Sequence, residues 1–179
     1  MKKLYIPICL ALLFVFESLF LNLFSEGFFN SDYLFVPRFL IIFFVFFVVY
    51  GNRRSVIVYG AIVGLIFDIT YTEILGIYLF VFPVIIYLVS KAMKVLQNNI
   101  FMVSLISLVT VVLLEFIMYG VNYILGFANE TLQEFMMIRL LPTLLLNLVF
   151  IIIFAYPFKQ LFVKYATDES QDSFFRKRS

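Results

Sequence analysis

The sequence predicts an all-α membrane protein, a bundle of six transmembrane helices, and three observations support this fold class. Apolar residues make up 64% of the 179 residues, against roughly 45–50% in an ordinary soluble domain. Charged residues make up 13%, roughly half the usual share. The apolar residues also form long runs between clusters of charge. Because a small soluble domain leaves much of its surface in water, this composition excludes soluble, disordered and disulfide-rich proteins.

Six apolar runs are candidates for membrane spans, because a helix of about 20 apolar residues crosses the bilayer core. The third and fourth runs are short and closely joined, so they form either two full spans or a re-entrant hairpin over 55–90. Together the runs predict a transmembrane domain over 1–158 and a tail over 159–179. The predicted spans are 4–24, 34–50, 55–71, 74–90, 100–125 and 135–158.

The basic residues are sorted to one side of these spans. Eleven of the 13 Lys and Arg residues flank the termini or lie in the connections after the second and fourth spans. The other connections contain acidic residues and no Lys or Arg. The positive-inside rule therefore predicts that both termini are cytoplasmic. The net charge of +2 is too small to indicate binding to nucleic acid.

The residue types that carry most enzyme chemistry are scarce in this chain. It has no His and a single Cys, Cys9, which removes the commonest general base and metal ligand and rules out a disulfide framework. The serines of the spans have no His to activate them, and no paired carboxylate site can be located. The sequence therefore predicts no cofactor, no metal and no enzymatic activity.

Five ionisable residues lie inside the predicted spans: Glu17, Arg38, Asp68, Glu115 and Arg139. Each needs a partner or a water-filled cavity, because a charge at membrane depth is costly. The predicted depths of Glu17 and Arg38 differ by only about 5 Å, so an ion pair between them is one interpretation. In the other, Arg38 extends to the outer interface, and Glu17 faces another helix or water.

The third span carries the sharpest local pattern. Gly60, Gly64 and Asp68 recur every four residues, which places them on one face of a helix. Small residues at this spacing let a neighbouring helix approach closely, and Asp68 can anchor a hydrogen bond there. Gly76 follows just after the predicted outer turn. Packing inside the bundle is the favoured interpretation, and contact with a partner helix is the alternative.

The sixth span combines a backbone break with polar side chains. Pro142 cannot donate a backbone hydrogen bond, so it frees a carbonyl one turn back. Asn147 follows that break and offers a polar side chain near it. Together with Arg139, these residues predict one local unit in which a helix kink is combined with polar groups. Its role is either in helix packing or in function.

The stretch 59–68, YGAIVGLIFD, followed by LGIY at 75–78, resembles the signature of the MreD family, the rod shape-determining membrane proteins of bacteria. The resemblance covers roughly residues 4–158 and is closest to members from Bacillus-like bacteria. It rests on the order of several motifs together with the length and the six spans. The further motifs are Glu17-Ser18, Val36-Pro37-Arg38-Phe39, Ser90-Lys91-Ala92, Leu114-Glu115-Phe116, Arg139 with Pro142-Thr143, and Leu145-Leu146-Asn147.

This resemblance implies a non-enzymatic scaffold of the cell-elongation machinery in the bacterial cytoplasmic membrane, acting in peptidoglycan synthesis and cell shape. The implied partners are an MreC-like protein, an MreB-like filament, a RodA and class B penicillin-binding protein pair, and the lipid bilayer. The family is also similar in fold to the substrate-capture subunits of energy-coupling-factor transporters, so the alternative is a small-molecule binder. Those subunits usually carry spaced Ala residues on the first helix, whereas 9–15 contains one Ala, which weakens that alternative.

The tail ends in a polar segment. Its acidic residues and few apolar residues predict disorder over 168–179. The three terminal cations at 176–178 follow two Phe residues and are expected to rest on the anionic inner leaflet, where each contributes about 1 kcal/mol.

Overall fold

The computed structural model describes residues 5–25, 33–72, 74–96, 98–127 and 130–176, and every regular element in these ranges is helical. The last three elements follow one another without a break, so the chain from residue 132 to residue 176 is one long helix with a π-helical part. The elements are α1 (Tyr5–Ser25), α2 (Phe39–Tyr50), α3 (Arg53–Tyr71), α4 (Ile77–Ala92), α5 (Ile100–Ile124), α6 (Leu132–Glu134), the π-helical segment (Phe135–Leu140) and α7 (Leu141–Arg176).

Three helical stretches of the described chain are long and apolar enough to cross a membrane. These are α1, α5 and the long helix formed by α6, the π-helical segment and α7. Helices α2, α3 and α4 are apolar but shorter. The all-helical fold class is confirmed, with long and short helices combined in one bundle.

Helix α2 forms the centre of this bundle. It contacts α1, α3, α4, α5 and α7, and every residue from Phe39 to Val48 has at most 3% of its surface exposed. A helix that is apolar on all sides can be buried on all sides. Its rings stack on α7 at both ends: the ring centroids of Phe39 and Phe150 are 4.0 Å apart, and those of Phe47 and Phe162 are 4.7 Å apart.

Helix α2 begins later along the chain than the second predicted span, 34–50. Residues 33–38 are not helical, and α2 has 12 residues, about 18 Å at 1.5 Å per residue. This is well short of the roughly 30 Å of a bilayer core. Pro37 supplies the physical reason, because the residue before a proline is driven away from the α conformation. Residues 33–38 precede α2 without forming a helix, and we call them the extended segment.

The polar tail is helical where the structure describes it. Helix α7 continues to Arg176, so the prediction of disorder over 168–179 is wrong up to that residue; residues 177–179 lie outside the described chain. Extending an existing helix needs no new nucleus. A polar segment can therefore be helical when it continues a helix that is already packed.

Candidate functional site

A cluster of buried charges surrounds the start of α2. Arg38 Nε lies 2.6 Å from Glu115 Oε1, and Arg38 Nη1 donates to the Tyr78 hydroxyl at 3.2 Å. Arg139 Nε lies 2.9 Å from the other carboxylate oxygen, Glu115 Oε2. One carboxylate on α5 therefore joins the start of α2 to the π-helical segment, and Tyr78 links the same cluster to α4. We call Arg38, Tyr78, Glu115 and Arg139 the charge cluster.

Glu17 bonds to the start of α2. Arg38 forms its ion pair with Glu115, so the interpretation as a Glu17–Arg38 ion pair is wrong. In the other interpretation, the extension of Arg38 to the interface is wrong, because Arg38 is 5% exposed, whereas the expectation that Glu17 faces another helix is confirmed. The Glu17 carboxylate accepts a hydrogen bond from the Leu40 amide at 3.1 Å. A carboxylate is stabilised there because the first amides of a helix lack internal partners and carry partial positive charge.

The extended segment before α2 is held by side chains of α7. Asn147 Oδ1 accepts from the Arg38 amide at 2.9 Å, and Asn147 Nδ2 donates to the Val36 carbonyl at 3.0 Å. Thr143 Oγ1 accepts from the Val36 amide at 3.1 Å. An unpaired backbone group at membrane depth would be costly, and these bonds remove that cost. Pro37, between the bonded residues, is buried.

As predicted, Pro142 leaves a backbone carbonyl one turn back without its helical donor, and this carbonyl accepts a hydrogen bond from another part of the chain. Pro142 lacks the N–H that would bond to Ile138 one turn back, and the Leu34 amide donates to that carbonyl at 2.8 Å. Arg139 bonds across to α5, so the three residues do not form one local unit. Asn147 bonds both to the extended segment and, within its own helix, to the Thr143 carbonyl at 2.7 Å.

Asp68 bonds to the start of α4. Its carboxylate accepts from the amides of Gly76 at 2.9 Å, Tyr78 at 2.8 Å and Leu79 at 3.0 Å. Gly76 has φ +115°, in the left-handed region that glycine adopts without strain. The turn between α3 and α4 thus brings the amides onto the carboxylate.

The glycines of the same face pack against α4. A Cβ on Gly64 would lie 2.7 Å from the carbonyl carbon of Tyr78 and 2.9 Å from the amide of Leu79. A Cβ on Gly60 would overlap the end of the Ile86 side chain. The stripe therefore makes room for α4, as in the interpretation that placed it inside the bundle.

Sequence reasoning identified most of these residues but missed two of them. Thr143 and Tyr78 entered as parts of motifs, without the contacts to Val36 and Arg38 that the structure shows. Thr143 follows Pro142 and has 0% exposure, so a hydroxyl next to a helix break was the available signal. No signal within the sequence joined Tyr78 to Arg38.

The polar groups of this arrangement form hydrogen bonds and ion pairs with one another. In the described ranges, every buried side-chain nitrogen and oxygen has a hydrogen-bond partner. The same ranges contain no group of three or more His, Cys, Asp or Glu residues that could hold a metal ion. The charges therefore tie helices to one another.

Fold and site together define an all-helical membrane protein in which buried charges join a short central helix to the helices around it. The sequence model described as rod shape-determining protein MreD matches residues 2–165. The chain belongs to the MreD family, as the order of its motifs predicted.

Two curated relatives support this assignment. The chain is 37% identical over 163 residues to the rod shape-determining protein MreD of Bacillus subtilis, covering 91% of this chain and 95% of the relative. It is 24% identical over 126 residues to the cell shape-determining protein MreD of Streptococcus pneumoniae, covering 70% and 77%. No solved structure matches, so the similarity to energy-coupling-factor capture subunits stays a prediction.

Proposed function

We propose that this protein is a non-enzymatic scaffold of the cell-elongation machinery. It is a multi-pass protein of the bacterial cytoplasmic membrane with both termini in the cytoplasm. It holds an MreC-like protein, an MreB-like filament protein and a RodA and class B penicillin-binding protein pair in one assembly. The observation that carries the proposal is membership of a family of shape-determining proteins, in a chain whose described residues have a hydrogen-bond partner for every buried side-chain nitrogen and oxygen.

The division between inner and outer surfaces supports a role in binding through the spans. Four of the five ionisable residues of the predicted spans, Glu17, Arg38, Asp68 and Glu115, are buried, whereas apolar side chains cover much of the outside of the bundle. Leu12 on α1 is 65% exposed, Ile62 on α3 is 51% exposed and Ile152 on α7 is 71% exposed. Such faces can contact lipid tails or the helices of another membrane protein.

The placement of charge supports the proposed orientation. Lys159 Nζ lies 5.8 Å from the centroid of the Tyr50 ring, so the end of α2 and this turn of α7 are at the same end of the bundle. Lys91 follows at the end of α4. Glu130 and Glu134 lie around the start of the long helix, at the end of the bundle opposite to Lys159. Cations at one end and carboxylates at the other agree with the positive-inside rule.

Photocrosslinking in living cells tests the scaffold proposal. A photoreactive residue placed at Leu12, Ile62 or Ile152 should capture a protein of the elongation machinery, identified by mass spectrometry. The same residue at Phe43, which has 0% exposure, is the matched control and should capture none. If the exposed positions capture no such protein while the variants still support rod shape, the proposal fails.

A further inference from the structure

Arg139 differs from the other members of the charge cluster in its exposure. The side chain of Arg139 is 22% exposed, against 6% for Arg38 and 0% for Glu115. Within the described residues its hydrogen bonding is made by Nε alone, whereas Arg38 uses Nε and Nη1. The Nη edge of Arg139 therefore has donor capacity that the described chain does not fill.

Arg139 shares its carboxylate partner with Arg38. Glu115 binds both guanidinium groups, and the second carboxylate near the cluster, Glu17, interacts electrostatically with Arg38. Arg139 is the more exposed of the two arginines and has the shared carboxylate as its ion-pair partner.

The position of Arg139 suits an anionic group that comes from the membrane surface. Arg139 lies seven residues after Leu132, the first residue of the long helix, about 10 Å along the axis. The long arginine side chain can reach toward an interface from this depth. Next to it along the segment, Met136 and Met137 are 42% and 56% exposed, so the surrounding surface is apolar and a charge there favours a counter-ion.

We propose that Arg139 is a binding site for a phosphate group. The planar guanidinium presents paired donors that match phosphate oxygens, and a charge-assisted pair of this kind is among the stronger hydrogen bonds in proteins. The phosphate belongs to a lipid headgroup or to a soluble phosphate compound, and both would use the same donors. This inference does not rest on the proposed function.

Binding measurements on the purified full-length protein in a neutral detergent test the proposal. The probe is fluorescent phosphatidylglycerol, followed by anisotropy. Arg139→Gln should weaken its binding by at least about tenfold, the loss expected for one charge-assisted contact. Lys94→Gln removes the same charge from an exposed position at the other end of the bundle and should leave the affinity unchanged. An equal loss in both variants, or no loss in Arg139→Gln, overturns the proposal.

Two further arms decide the source of the phosphate and guard against misfolding. Inorganic phosphate that displaces the probe identifies a soluble phosphate compound, and failure to displace it identifies the lipid headgroup. If Arg139→Gln does not give a folded protein, Arg139→Lys decides, since it keeps the charge and removes the paired donors. Weaker binding by Arg139→Lys, by about threefold or more, supports the proposal, and unchanged binding overturns it.

Discussion

Asp68 and Glu17 both bond to the start of a short helix, yet they do so over different distances along the chain. Asp68 accepts from amides 8 to 11 residues later. Glu17 accepts from an amide 23 residues later. Next to that amide, Arg38 bonds to groups that are 40, 77 and 109 residues away.

This difference indicates how the two regions form. Contacts between residues close in sequence need little loop closure, so the turn from α3 to α4 can form by itself. The start of α2 is complete only when α1, α4, α5 and α7 are all in place. We infer that the turn from α3 to α4 is a local unit, whereas the contacts at the start of α2 form only when the whole bundle assembles.

The largest effect is expected from Glu115→Ala. The change leaves two guanidinium groups without their carboxylate, and removing one partner of a buried ion pair costs about 3–5 kcal/mol. The free energy of unfolding in detergent should fall by that amount. Glu130→Ala, at an exposed position, is the control. Equal stability of the two variants would show that the charge cluster does not hold the bundle together.

The next largest effect is expected from Gly64→Leu, which acts on the local unit. The new side chain would meet the backbone of α4, which cannot move aside as a side chain can, and overpacking of this kind costs about 1–3 kcal/mol. Gly120→Leu is a matched control, because a Cβ there meets nothing within 4 Å. Thermal unfolding should separate the two variants. If both unfold at the same temperature, α3 and α4 do not need this close contact.

Asp68→Asn tests whether the two regions are separate. The amide keeps one acceptor oxygen and loses the charge, at an expected cost of about 1–2 kcal/mol. Amide hydrogen exchange should become faster at Gly76, Tyr78 and Leu79, while the Leu40 amide of α2 exchanges as before. Faster exchange at both sites would contradict a local unit and place Asp68 in the assembly of the whole bundle.

The smallest effect is expected from Thr143→Val, which preserves shape and removes the hydroxyl. The Val36 amide loses its acceptor, at a cost of about 1 kcal/mol. Thr70→Val, whose exposed hydroxyl bonds within its own helix, should cost less. The difference in the free energy of unfolding between the two variants measures how much the Thr143 hydrogen bond stabilises the packing of the extended segment on α7. If Thr70→Val costs as much, the segment does not depend on Thr143.

The local unit was largely predictable, and the charge cluster was not. The spacing of Gly60, Gly64 and Asp68 is a property of one helix, so the sequence displays it directly. The sequence does not indicate the partner of Arg38, because Glu115 is 77 residues away and its position depends on how α5 packs. The late start of α2 was missed for a related reason: apolar residues before Pro37 read as part of a span, although the proline disfavours helix there.

The long helix that ends in α7 is longer than a membrane is thick. From residue 132 to residue 176 it extends about 67 Å at 1.5 Å per residue, against roughly 40–45 Å for a bilayer with its headgroups. The part from Lys159 to Arg176 measures about 27 Å. The π-helical segment, which is bound to Glu115 through Arg139, lies near the opposite end. A change in tilt of about 10° around that segment is small against the range that membrane helices adopt and would move Arg176, about 57 Å away, by roughly 10 Å.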